Sequence, residues 1–178
     1  MTRIAIPAVD SATGATAEVY AQIKKAVGSV PNTFVAIGAL GPNALKAVLH
    51  ADGVLAAGNL SKQDQETVKL LVSELAGCDY CVAAHSLLGK MTGLAPDTLK
   101  KIRAGEPTGD PKRDALVRFV KQLVQTSGTI DAQELAALKS VGYTDQQLVD
   151  ISLAIALTVF TNVFNRINDT AIDFPAVA

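Results

Sequence analysis

Aromatic side chains are scarce in this sequence: tryptophan is absent, and aromatics make up only 4% of the chain. That disfavours a sandwich or barrel, whose strands draw on β-branched and aromatic residues. Apolar residues still reach 49%, with Ala, Val and Leu dominant, which suits closely packed helices. An excess of either charge is also missing, since 16 basic residues face 17 acidic ones. No bulk field draws in nucleic acid or anionic lipid, so neither is an expected partner. The opening "MTRIAIPAVDSATG" lacks the apolar run of a signal peptide. The most apolar stretch, "LVDISLAIALTVFTNVF" (148–164), is interrupted by Asp150 and hydroxyl residues and is short for a membrane span. It reads as a buried helix, inside a bundle or at a subunit contact, and the cytoplasm is the default location. Only two cysteines are present. In that compartment they speak for catalytic thiols or metal ligands before a structural disulfide.

At 178 residues the chain reads as a single domain with a substantial apolar core. Residues 1–12 read as an extended arm. A helix follows in "TGATAEVYAQIKKAVG", with Val19, Ile23, Ala26 and Val27 on one face and a stop at Gly28. "SVPN" is a turn, Phe34 to Leu40 a short helical piece, and Pro42 suits the first turn of the next helix. Ser61 with Asp64 forms an N-cap pattern before Val68, Leu71, Val72, Leu75 and Ala76, which mark one amphipathic face. Gly77 ends or kinks that helix, and a second runs from about Cys78 to Thr92. A short helix starts at Pro96, and "GEPTGDP" (105–111) is the clear loop. Asp131 with Glu134, and Thr144 with Gln147, have capping-box spacing. Residues 168–178 form a tail. No run alternates convincingly with period two. The expected fold class is all-α.

The chemistry concentrates in "GCDYCVAAHSLLG", residues 77–89. On a helix, Cys78, Cys81 and His85 fall along one stripe, which also takes in Leu88. Cysteines at i and i+3 can bring their sulfurs within disulfide reach, and His85 one turn further on can exchange a proton with Cys81. Cys78 gains from the helix N-terminus and Cys81 from the histidine, so the spacing does not rank the two as nucleophiles. Plain packing competes with this reading, because cysteine is commonly buried. So does zinc, whose fourth ligand would be Glu66, Asp79, His50 or water. Haem attachment requires His directly after the second cysteine, where Val82 stands, and a thioredoxin-type motif requires a strand–helix setting. The redox reading is preferred, with no metal and no bound organic cofactor.

Glu66, followed at fixed spacing by Cys78, Cys81 and His85, resembles the signature of the AhpD-like alkylhydroperoxidases, within the carboxymuconolactone decarboxylase superfamily. The resemblance covers most of the chain and is most specific over residues 60–94. The flanks "AEVYAQIKKAVGSVPNTF" and "NRINDTAIDFP" are similar to a peroxidase-related branch. It implies an all-helical AhpD-like bundle, assembled into homo-trimers or hexamers with the site sheltered near subunit contacts. It further implies that Cys81 attacks a hydroperoxide, Cys78 is its disulfide partner, and His85 and Glu66 move the proton. A small or protein-bound, lipoyl-like dithiol would reduce the disulfide. Periodicity by itself puts Glu66 opposite the apolar stripe, as a solvated carboxylate, unless both faces of its helix are covered.

Some members carry a histidine between the cysteines, where this chain has Asp79 and Tyr80. A phenol donates a hydrogen bond but is a poor base, and Tyr80 is expected to pack with its hydroxyl at the surface. His50 is expected to be a hydrogen-bonded packing residue. Asn162, Asn165 and Asn168 could line a polar pocket, but capping and tail anchoring are the expected roles, with Arg166 and Asp169 in surface pairs. Two rival functions remain: a decarboxylase acting on a small lactone or acid with His85 as general base, and a zinc-binding or redox-sensing assembly protein.

Overall fold

The structure, a computed structural model, describes residues 2–177. Nine α-helices and one 3₁₀ turn (Val9–Ser11) account for the regular structure among these residues, with no strand. The helices are α1 (Gly14–Val27), α2 (Asn32–Leu40), α3 (Pro42–Ala56), α4 (Lys62–Leu75), α5 (Asp79–Met91), α6 (Pro96–Ala104), α7 (Pro111–Gln125), α8 (Ala132–Ser140) and α9 (Asp145–Asn168). The fold is all-α, as the composition and periodicity predict.

Helix α4 is the axis of the bundle, packed against α5, α6, α7 and α9. Ser61 caps it by accepting the Asp64 N–H at 3.0 Å. Val68, Leu71 and Val72 join Leu116, Val120 and Ile151 in the main core, but Leu70, Ser73 and Glu66 on the other side are buried as well. A smaller core joins Val19, Tyr20, Ile23, Ile37 and Leu45 from α1 to α3. Ala26 and Val27 do not take part: the end of α1 runs past its neighbours, and Val27 is 65% exposed.

Gly77, at φ 64°, makes the left-handed step between α4 and α5 that a side chain would resist. Thr144 and Gln147 form the predicted capping box of α9. Asp131 caps α8 through the Gln133 N–H, whereas Glu134 pairs with Arg118 at 2.9 Å instead of closing a box.

Helix α9 is the one described helix long and apolar enough to cross a membrane by length and composition. It packs on α3 and α4 through Ile151, Ala154 and Thr158, but the buried helix expected from its sequence is only half buried. Val149, Val159, Phe160, Val163 and Ile167 leave an exposed apolar stripe along its other face. Asp150 does structural work: one carboxylate oxygen accepts the N–H of Asn59 at 2.7 Å and of Leu60 at 3.1 Å, fixing the loop between α3 and α4. Asp150→Ala leaves both donors without that acceptor and is expected to lower unfolding free energy by about 1–3 kcal/mol in urea denaturation.

Candidate active site

The two cysteines sit where α5 begins. Cys78 is its N-cap residue, and its sulfur accepts the Cys81 backbone N–H at 3.4 Å, a thiol taking the place of the usual capping oxygen. Both are free thiols, 2% and 3% exposed. The Cys81 thiol also hydrogen-bonds to the Cys78 sulfur, which lowers the Cys78 pKa from its ordinary value; burial and Asp79 oppose the shift, and Arg166 assists it. The same hydrogen bond, followed by burial, pushes the Cys81 pKa well up. The pair therefore holds its first negative charge on Cys78. Sequence spacing left the two unranked; their positions at the helix start separate them.

His85 lies on α5 one turn beyond Cys81, and its Nδ1 meets Glu66 Oε2 at 2.9 Å across the α4–α5 contact. An ionised carboxylate only accepts, so Nδ1 carries the proton and Nε2 is left as the acceptor. Glu66 is buried, and the periodicity argument for a solvated carboxylate fails because both faces of α4 are covered. Among the described residues, the one hydrogen bond of His85 goes to Glu66 and none reaches a sulfur. The motif stripe is also rotated from expectation: Leu88 is 39% exposed, and Gly89 turns inward instead. A Cβ at Gly89 would lie 2.8 Å from Leu99 and 3.8 Å from Glu66, so the missing side chain permits close packing beside the pair.

Tyr80 does not place its hydroxyl at the surface. The hydroxyl accepts the buried Thr33 N–H at 3.1 Å and donates to Asp173 at 2.8 Å. Burial, together with the Asp173 carboxylate, holds the phenol far above its ordinary pKa, so it remains a neutral donor. Asp173 also accepts the Asn32 N–H at 2.8 Å at the start of α2, and Phe174 packs edge-on against Tyr80 with ring centres 5.4 Å apart. The tail thereby covers the cysteine pair.

Beside the sulfurs opens a cleft of about 410 Å³, lined by Cys78, Asp79, Tyr80 and Asn165 and, at its rim, by Arg166 and Asp169. These last two are exposed, as expected of surface residues, and border the cleft. The three asparagines of α9 are all buried and divide their work. Asn162 ties α9 to α4 through the Ser73 hydroxyl and the Val72 carbonyl. Asn168 anchors both ends of the chain, accepting the Ile4 N–H and donating to Thr170. Asn165 donates from Nδ2 to the Cys81 sulfur at 3.2 Å. Sequence reasoning did not give Asn165 that role; three amides on one side of an apolar helix were the available signal. His50 is exposed, away from any packing role. No group of three His, Cys, Asp or Glu that could hold a metal occurs among the described residues.

Residues 42–122, which carry α4, α5 and the whole motif, match the model of the carboxymuconolactone decarboxylase family. No curated protein sequence matches significantly. Among solved structures, a peroxidase-related protein with an alkylhydroperoxidase AhpD core from Ralstonia eutropha JMP134 superposes with a TM-score of 0.86 at 20% identity, covering 97% of this chain and 92% of its own. A peroxidase-related protein from Silicibacter sp. TM1040 gives 0.81 at 22% identity, covering 96% and 91%. A cysteine-to-alanine variant of the debrominase Bmp8, in complex with 2,3,4-tribromopyrrole, gives 0.79 at 17% identity, covering 97% and 94%. The chain thus shares the all-helical fold of these AhpD-like structures, and its motif-bearing residues 42–122 resemble the carboxymuconolactone decarboxylase family.

Proposed function

We propose that the chain is a thiol-dependent hydroperoxidase working through a dithiol–disulfide cycle, with Cys78 as the attacking sulfur. The observation that carries this reading is the sulfur pair: two free thiols joined by hydrogen bonds that favour charge on the one lining the cleft. The Cys78 thiolate attacks the terminal oxygen of R–O–O–H, forming the S–O bond of a sulfenic acid as the O–O bond breaks. The departing alkoxide takes a proton from solvent and leaves as R–OH. Cys81 then loses its proton through water to Nε2 of His85, which Glu66 holds in orientation, and attacks the sulfenic sulfur. The hydroxide displaced takes a proton and leaves as water. An external dithiol, small or protein-bound and lipoyl-like, returns the disulfide to two thiols by exchange. This order reverses the assignment of the two sulfurs that family resemblance implies, and it gives the His85–Glu66 pair the second step instead of the first.

The superfamily's name suggests a second chemistry, decarboxylation with His85 as base, and the His85–Glu66 geometry suits a general base as well. Cysteine alkylation separates the two, since it abolishes peroxide turnover and spares a reaction run by His85 alone.

The exposed apolar stripe of α9, from Val149 to Ile167, supports a homo-oligomer in which a second copy covers that face. Val163→Glu, which puts a charge in the middle of the stripe, is expected to shift sedimentation toward the monomer. An unchanged mass would remove α9 from the interface.

Two measurements test the thiol chemistry. Because only the thiolate reacts, iodoacetamide labelling of Cys78 is expected to fall away with acidification at a midpoint below that of an ordinary thiol. Labelling of Cys81 is expected to need more alkaline solution than an ordinary thiol. Cys78→Ser and Cys81→Ser are each expected to abolish catalytic peroxide consumption, and only Cys81→Ser should still form a sulfenic acid in a single turnover. Stoichiometric oxidation surviving in Cys78→Ser and lost in Cys81→Ser would reverse the two sulfurs.

A further inference from the structure

Asn165 is 3% exposed, and only one end of its amide is engaged. Nδ2 donates to the Cys81 sulfur, while Oδ1 is buried without a partner. A buried carbonyl oxygen left in that condition costs on the order of 1–3 kcal/mol, so native structures seldom retain one without a use. This one belongs to a residue lining the same cleft as Cys78, with Arg166 at the rim. The amide thus links the sulfur of one cysteine to the cleft that the other cysteine faces.

We propose that Asn165 Oδ1 is the acceptor that orients the substrate, taking the hydrogen bond of the hydroperoxide's terminal O–H; this rests on the peroxidase reading above. The terminal oxygen is the atom the sulfur attacks, so one hydrogen bond there fixes the reacting atom and leaves the R–O oxygen directed to the cleft mouth and Arg166. The proton on the attacked oxygen is not transferred. It remains on that oxygen as R–O–O–H and the Cys78 thiolate become R–O⁻ and Cys78–S–O–H, with the sulfur oxidised by two electrons and the peroxide reduced. The same acceptor therefore holds the sulfenic acid hydroxyl once it forms. At that stage the two ends of one amide grip both partners of the coming disulfide, Oδ1 the sulfenic hydroxyl and Nδ2 the Cys81 sulfur. Solvent supplies the proton that turns R–O⁻ into R–OH.

The test uses the full chain in the Cys81→Ser background, where oxidation stops at the sulfenic acid. Two electrophiles are compared at one pH: cumene hydroperoxide, which carries the O–H donor, and methyl methanethiosulfonate, which carries none and reports thiolate reactivity alone. Asn165→Leu is expected to slow sulfenic acid formation about tenfold, the effect of losing one hydrogen bond at the reacting oxygen, with thiosulfonate reaction within about twofold of the parent. Asn165→Asp keeps an acceptor in place and is expected to hold the parent ratio of the two rates, even if its charge slows both. Equal slowing of both reagents by Leu, no slowing of either, or a ratio in Asp that falls as it does in Leu would overturn the inference. Failure of the peroxidase reading looks different: the parent itself would react with the thiosulfonate and form no sulfenic acid with the hydroperoxide, and the inference would fall with it.

Discussion

A carboxylate inside the bundle sets the rest. Both faces of helix α4 are covered, so the carboxylate of Glu66 is largely withdrawn from water and needs a partner where it stands. His85 supplies the partner, and both side chains are nearly closed to solvent, at 10% and 14% exposure. Removing His85 would strand the buried carboxylate without its donor, a loss on the order of 1–3 kcal/mol or more. That cost fixes the rotation of α5 about its own axis, and with it the direction of everything else on that helix. Gly89, one turn past His85, leaves room for Leu99 of α6 and for Leu94 to pack against α5 beside the pair. The cysteines, one and two turns before it, are brought to the helix start beside the cleft as a consequence.

At that helix start, a shift of three residues gives two chemically different thiols. Cys78 stands before the first turn, where backbone N–H groups have no helical partner and favour negative charge. It receives the Cys81 N–H and the Cys81 thiol, while Cys81 receives the amide of Asn165. The hydrogen bonds run in one direction, from Asn165 to Cys81 to Cys78, and end on the sulfur that lines the cleft. A pair built this way resists losing two protons at once, because ionising Cys81 would set a second charge against the first.

The parts legible in the sequence were those with local causes. Ser61, Thr144 and Pro96 announce helix starts through their own side chains, and the period of Val68, Leu71 and Leu75 identifies an inward face. The stripe of Cys78, Cys81 and His85 holds only in part, since Cys78 is the non-helical N-cap and His85 bonds to Glu66 instead of a sulfur. What periodicity missed was set by long-range packing. Glu66 reads as solvated when only one face of α4 is counted, and the second cover comes from α5 itself. Leu88 and Gly89 exchanged roles because the edge of α5 that carries the His85–Glu66 hydrogen bond, not the hydrophobic stripe, faces inward. Asp131 has the spacing of a capping box, but its expected partner Glu134 is drawn away by Arg118 from another helix. Asn165 and Asp173 lie about ninety residues from the cysteines they serve, a distance over which no local pattern operates.

Tyr80 shows how this chain can do without an imidazole between its cysteines. A second histidine there would add a titrating group to the sulfur pair; the phenol adds none, since burial and Asp173 keep it neutral. Its work is mechanical. By accepting from Thr33 and donating to Asp173, it joins the start of α2 and the chain's final residues to the first turn of α5. Phe174 completes the cover over the cysteines. The His85–Glu66 pair stays within the bundle, while Cys78 and Arg166 border the cleft. Under the proposed cycle, the leaving alkoxide and the second thiol would draw on different groups, so neither would wait for the other's group to reset.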